Sequence, residues 1–157
     1  MRIGVVGGGL IGSCIAEVCA RAGVDVTVVE VDPARAEHSR AAIEKSLDRG
    51  VRSEKVSPEE REAALDRLAY TTSLEDVEGA DAAIEAIIED EGMKRDLFKR
   101  LDALLPDALF LASNTSSVPI MKLGAGTSQP DRVLGMHFFN PVPVLPLVEL
   151  VTSIMTT

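Results

Sequence analysis

The chain has 157 residues, enough for one domain that buries roughly 70% of its unfolded surface. It is 46% hydrophobic and 26% charged, an ordinary balance for a globular protein, but only 3% aromatic with no tryptophan, so its core must be aliphatic. A net charge of −9 argues against a broad basic face for nucleic acid or an anionic membrane, and no apolar run reaches the ~20 residues of a membrane span. A phosphate ligand stays open, because backbone amides hold phosphate at any net charge.

Arg2–Gly7 reads as a buried strand and Leu10–Ala22 as a helix stopped by Gly23. Asp25–Val31 is valine-rich, as buried parallel strands are. Asp32 then caps a helix with Pro33 at its first position, and Ala36, Ile43 and Leu47 recur at helical spacing before a stop expected at Gly50. Ser57 and Glu60 have capping-box spacing for a helix running to about Leu68. One helix suffices to connect parallel strands, so two between 33 and 68 predict a helical-hairpin arm standing off the sheet. Strands follow at Leu68–Thr71 and Ala82–Ile88, a helix at Glu91–Leu105, a strand at Leu109–Ser113, a short helix near Pro119–Leu123, and strands at Val133–Phe138 and Leu147–Val151. The alternation predicts a doubly wound α/β fold with a mostly parallel sheet, a Rossmann-type domain spanning residues 1–157. Cys14 and Cys19 are five apart on one helix, which disfavours a disulfide and predicts two small buried hydrophobes. Met1-Arg2 enters a strand pattern directly, without a signal-peptide pattern, so a reducing cytoplasm is the expected location.

The segment Gly7-Gly8-Gly9-Leu10-Ile11-Gly12 follows a strand and opens a helix. In that context Gly7 allows the tight turn, Gly9 leaves room for a pyrophosphate, and Gly12 lets helix and strand pack closely. The amides and dipole of the helix start at Leu10 and Ile11 face the phosphates. Glu30 ends the next strand and is the preferred partner for the adenosine ribose. Asp32 competes but also reads as a helix cap. A carboxylate there repels a 2′-phosphate, favouring NAD over NADP. At the other end, His137-Phe138-Phe139-Asn140-Pro141 and Glu149 offer a proton acceptor, an amide and a carboxylate.

The runs Ala112-Ser113-Asn114-Thr115-Ser116-Ser117, His137-Phe138-Phe139-Asn140-Pro141-Val142-Pro143 and Leu147-Val148-Glu149 resemble the L-3-hydroxyacyl-CoA dehydrogenase family, above all its bacterial 3-hydroxybutyryl-CoA branch. The resemblance runs from the glycine loop to Glu149. It implies oxidation of a 3-hydroxyacyl-CoA, or the reverse reduction, in fatty acid metabolism and β-oxidation. His137 matches the family's base and Glu149 the carboxylate that holds it; a carboxylate beside an imidazole favours imidazolium. Ser116 matches a serine touching substrate and cofactor, and Asn140 an asparagine beside the reacting carbon. Glu89 and Lys94 match positions near the nicotinamide ribose. Without the resemblance, Glu89 reads as a helix-dipole partner and Lys94 as a solvated first-turn lysine.

The arm alternates basic and acidic residues, which reads either as a helix face stitched by ion pairs or as a basic edge for coenzyme A phosphates. In the family the arm contacts the CoA nucleotide. Ser46 matches a serine used there, and Arg52 or Lys55 stand in for a basic residue missing near Ser53. His38 is given no role. The resemblance also implies a further, mostly helical domain beyond Thr157, with homodimerisation through it and weak or no activity without it. No metal site is expected. Two other readings remain: a non-catalytic NAD-binding scaffold, and a related dehydrogenase of a hydroxy acid not linked to CoA.

Overall fold

The computed structural model describes residues 1–145 and 147–157. Among these residues the strands are β1 (Arg2–Val6), β2 (Asp25–Val29), β3 (Leu68–Thr71), β4 (Ala82–Glu85), β5 (Phe110–Ser113), β6 (Val133–Phe138) and β7 (Val148–Val151). The helices are α1 (Leu10–Arg21), α2 (Pro33–Arg52), α3 (Pro58–Asp66), α4 (Glu91–Leu104) and α5 (Ile120–Gly124), with 3-10 turns at Leu74–Val77 and Pro130–Arg132 that the sequence reading lacks. The strands form one sheet in the order β3-β2-β1-β4-β5-β6-β7. β1 to β6 are parallel, and β7 is antiparallel to β6. The chain runs outward from β1 to β3, returns to β4 beside β1, and runs outward again. The switch point therefore lies between β1 and β4, where ligands bind in doubly wound sheets.

Strand alternation sorts the core into two layers. Val5, Val26, Val28 and Ile84 pack with Ile15 and Ala16 of α1 and with Ile43 and Leu47 of α2. Val6, Val29, Ala83 and Leu111 pack on the opposite face with Leu97, Phe98 and Leu101 of α4. Phe98 is the only aromatic residue among the buried core side chains described, so both layers are almost wholly aliphatic.

Helix α2 carries Asp32 as N-cap, whose Oδ1 accepts from the Arg35 amide at 2.8 Å. It does not stop at Gly50 but ends at Arg52, with the Ser53 amide donating to Arg49 O. Gly50 serves a close approach instead: a Cβ there would lie 2.7 Å from Val56 Cγ2. Helix α3 begins with the complete Ser57/Glu60 capping box. The hairpin of α2 and α3 does not stand clear of the sheet along its length. Ile43 and Leu47 are buried in the same core layer as Ile15 and Ala16 of α1, and α2 packs against α1 and β3.

Two strands are shorter than their apolar runs. β2 ends at Val29 and β4 at Glu85, leaving Val31 and Ile88 exposed beyond them. Both runs continue at the carboxyl edge of the sheet, where they line a cleft rather than a core.

Candidate active site at the switch point

The loop after β1 is built for a dinucleotide. Gly7 has φ +98°, and its amide donates to Val29 O at 2.9 Å, which turns the chain sharply. A Cβ on Gly12 would meet Gly7 O at 1.7 Å, so only glycine lets α1 approach the loop. A Cβ on Gly9 would meet nothing within 4 Å. That open space lies at the start of α1, whose first amides lack intrahelical partners. The residues therefore fit a pyrophosphate.

Buried polar groups pin the loop. The Gly8 amide donates to Glu30 Oε1 at 2.6 Å, and the Val31 amide donates to Glu30 Oε2 at 3.0 Å. Ser13 Oγ donates to Gly8 O at 2.7 Å and shares a hydrogen bond with Ser39 Oγ of α2 at 2.8 Å. Glu30 thus orders the loop as well as lining the cavity, of about 780 Å³, that also holds Gly7, Gly9 and Arg35. Asp32 is occupied with capping α2 and does not line that cavity. The serine pins were missed by the sequence reading, because nothing in the spacing of Ser13 and Ser39 marks them as neighbours.

A second cavity, of about 500 Å³, continues from Gly9, Leu10 and Ile11 along Ala86–Glu89 to Asn114, Ser116, His137 and Asn140. Antiparallel pairing sets His137 directly opposite Glu149, with Nδ1 3.3 Å from Oε2. The Phe139 ring sits 4.6 Å from the imidazole. Asn114 was not singled out from sequence; its Oδ1 accepts from the Phe138 amide at 2.9 Å and ties the end of β6 to β5. The end of β6 is thereby held where His137 faces the glycine loop.

Glu89 lines the same cavity, with its carboxylate on the Thr115 and Ser117 hydroxyls. It is not the cap of α4: Asp90 is, accepting from the Met93 amide at 2.8 Å. Lys94 is not a solvated lysine either. It is 1% exposed, and its Nζ lies 2.6 Å from Glu85 Oε1 and 3.9 Å from Glu89 Oε2. Lys94 lies behind the cavity wall and not in it.

The groove between α1 and the hairpin, about 630 Å³, contains Ser46 and Lys55 but not Arg52. Arg21 and Arg49 line it instead, Arg49 lying one helical turn before Arg52 on α2. Glu17 also faces this groove while nearly buried. Burial pushes its carboxyl above the usual range, against the Ser46 hydroxyl and the charges of Arg21 and Arg49. Cys14 and Cys19 are free and half-buried, and burial raises the Cys19 thiol to about 11. Among the described residues no His, Cys, Asp or Glu cluster could hold a metal, and no helix is long and apolar enough to cross a membrane.

Residues 2–157 match the family model described as 3-hydroxyacyl-CoA dehydrogenase, NAD binding domain. A 3-hydroxybutyryl-CoA dehydrogenase of Mycobacterium tuberculosis is 56% identical over 157 residues, covering 99% of this chain and 54% of that protein. The crystal structure of M. tuberculosis FadB2 matches 99% of this chain and 55% of its own at TM-score 0.95 and 56% identity. The (S)-3-hydroxybutyryl-CoA dehydrogenase PaaH1 of Ralstonia eutropha does so at TM-score 0.95 and 40% identity, again over 99% and 55%. The chain spans about half the length of these relatives. A glycine loop at the switch point, an acid at the end of β2 and a match along the whole chain lead to one conclusion: this chain belongs to the 3-hydroxyacyl-CoA dehydrogenase family, as an NAD-binding domain.

Proposed function

We propose that this chain supplies the cofactor site and the acid–base pair for NAD-dependent oxidation of an L-3-hydroxyacyl-CoA to the 3-oxoacyl-CoA, and for the reverse reduction. The observation that carries the reading is the register that pairs His137 with Glu149, with His137 lining the cavity shared by the glycine loop, Ser116 and Asn140. The glycine loop and Glu30 would hold NAD, which would supply the hydride acceptor for C3 of the substrate. His137 takes the proton of the 3-hydroxyl, and Glu149 stabilises the imidazolium that results. Ser116 and Asn140 are exposed polar groups on the rim, suited to hold the substrate oxygen and the cofactor amide. Glu30 binds the adenosine ribose, with Gly7, Gly9, Leu10, Ile11 and Gly12 around the pyrophosphate and Glu89 at the nicotinamide ribose.

The groove with Ser46, Lys55, Arg21 and Arg49 takes the CoA nucleotide. Most side chains of the β7 segment, among them Val148, Leu150 and Ile154, are exposed and apolar, which supports a covering partner. We assign that cover to a helical second domain, corresponding to the remaining length of the relatives and also forming a homodimer, in a cytoplasmic enzyme. Turnover then depends on the cover, because an open site admits water and loosens substrate positioning.

The test is NADH oxidation with acetoacetyl-CoA by this chain alone and with the C-terminal half of the M. tuberculosis relative joined after Thr157. The joined protein should turn over and the chain alone should bind NADH with little turnover. NADH binding without turnover in the joined protein would leave a scaffold. Activity on a free hydroxy acid but not its thioester would reassign the substrate.

A further inference from the structure

The Ala86–Glu89 turn lines the cavity of His137, and beneath it lies a charge network of which the proposed function uses only Glu89. Glu85, the last residue of β4, is 0% exposed. Its Oε1 accepts from Lys94 Nζ at 2.6 Å and from the Ile87 amide at 2.7 Å. Its Oε2 accepts from Ser113 Oγ of the neighbouring strand at 2.5 Å. Lys94 reaches on to Glu89, 3.9 Å away, and Glu89 in turn holds the Thr115 and Ser117 hydroxyls. One buried carboxylate therefore anchors the turn, the lysine behind it and, through that lysine, the carboxylate that faces the cavity. Burying an ion pair carries a large desolvation penalty, and an apolar pair would pack as well. The arrangement has a use only if its geometry or its charge is needed.

We propose that Glu85 is a positioning residue for the nicotinamide half of the site, acting through Lys94, Ile87 and Glu89, and that its charge biases the site toward the oxidised cofactor. Two carboxylates against one ammonium leave a single negative charge beside the cavity. NAD⁺ carries a positive nicotinamide ring and NADH does not, so that charge favours NAD⁺. The inference rests on the placement of the nicotinamide in the His137 cavity.

The experiment measures Kd for NAD⁺ and for NADH separately, by calorimetry and by cofactor fluorescence, on the 157-residue chain. Glu85→Gln retains acceptors and donors for Ile87 and Ser113 but removes the charge. It should raise the ratio Kd(NAD⁺)/Kd(NADH) roughly fivefold, within what one unit charge exerts at an effective dielectric of ~20. Glu85→Gln combined with Lys94→Met restores the net charge and should return the ratio to within about twofold of the starting protein, whatever happens to the absolute affinities. Glu85→Asp keeps the charge but shortens the reach. It should weaken both forms by a common factor of about five with the ratio unmoved, and it decides the positioning role even if Glu85→Gln does not fold. An unchanged ratio in folded Glu85→Gln, or unchanged affinities in Glu85→Asp, overturns the proposal and leaves the nicotinamide assignment standing. Failure of the unsubstituted chain to bind either form overturns both.

Discussion

The two halves of the cleft are built differently. Around the glycine loop and the Ala86–Glu89 turn, the organising groups are buried and matched. Glu30, Ser13, Ser39, Glu85 and Lys94 all have partners within the chain. At the β6–β7 edge, His137 is 23% and Glu149 57% exposed, their contact is 3.3 Å, and every residue of β7 faces solvent. Exposed ion pairs contribute about 0–1 kcal/mol, whereas buried, fully matched polar networks hold one geometry. Cofactor recognition needs amides and carboxylates fixed in advance, and this chain fixes them itself. The proposed acid–base pair is placed by the β6–β7 register and the Asn114 tie to β6, with Glu149 left exposed, so its quality depends on what lies over it.

Substitutions can separate the two halves. His137→Gln in the joined protein should lower turnover by about 10²–10⁴-fold while NADH Kd stays within about twofold. Steady-state rates and fluorescence titration check both, and a weakened NADH Kd of the same size would show that the halves are not separable. Gly12→Ala should act on folding, because its methyl group would press on Gly7 O. The expected loss is about 3 kcal/mol, seen as a melting temperature lower by on the order of 6–10 °C. Glu149→Gln should lower turnover by about ten- to a hundredfold in the joined protein and leave the melting temperature of the chain nearly unchanged, as an exposed partner would. Gly9→Ala is the counterpart of Gly12→Ala. Its methyl group enters open space, so NADH Kd should rise about tenfold, or ~1.4 kcal/mol, with the melting temperature within about 3 °C.

The smallest effect concerns Glu17 in the groove. Its carboxyl is raised by burial, so the folded state binds its proton more tightly than the unfolded state does. Its contribution to stability is present below the unfolded value of about 4.3 and is lost as pH rises through the folded value. Glu17→Gln should therefore melt about 2 °C higher than the parent at pH 7 and show no advantage near pH 3. A gap that persists unchanged at acid pH would rule out the ionised carboxylate as its source.

Local signals carried much of the fold. The capping residues Asp32, Ser57 and Glu60, the proline at 33, and the buried, valine-rich runs of the first two strands each act over a few residues and appear in the structure as read. Signals with two physical meanings misled. Gly50 marks a close approach by Val56 and not a helix stop, and the apolar runs to Val31 and Ile88 overshoot their strands because they line a cleft. The site divides in the same way. The glycine loop is contiguous and its turn chemistry local, so its residues could be named one by one. Lys94 was assigned a place near the ribose, but only packing of α4 on β4 shows that it stands behind the cavity on Glu85.

The sequence by itself determined the order of strands and helices, the helix caps and the glycine turn, because each depends on torsional and hydrogen-bond preferences between near neighbours. Tertiary structure alone decided that Ser39 of one helix steadies a loop thirty residues earlier, that Glu85 and Lys94 share a buried charge, and that Arg49 rather than Arg52 faces the groove. Those contacts join distant segments whose meeting depends on how layers pack and on which face of a helix or strand turns inward, and no short pattern of residues encodes that.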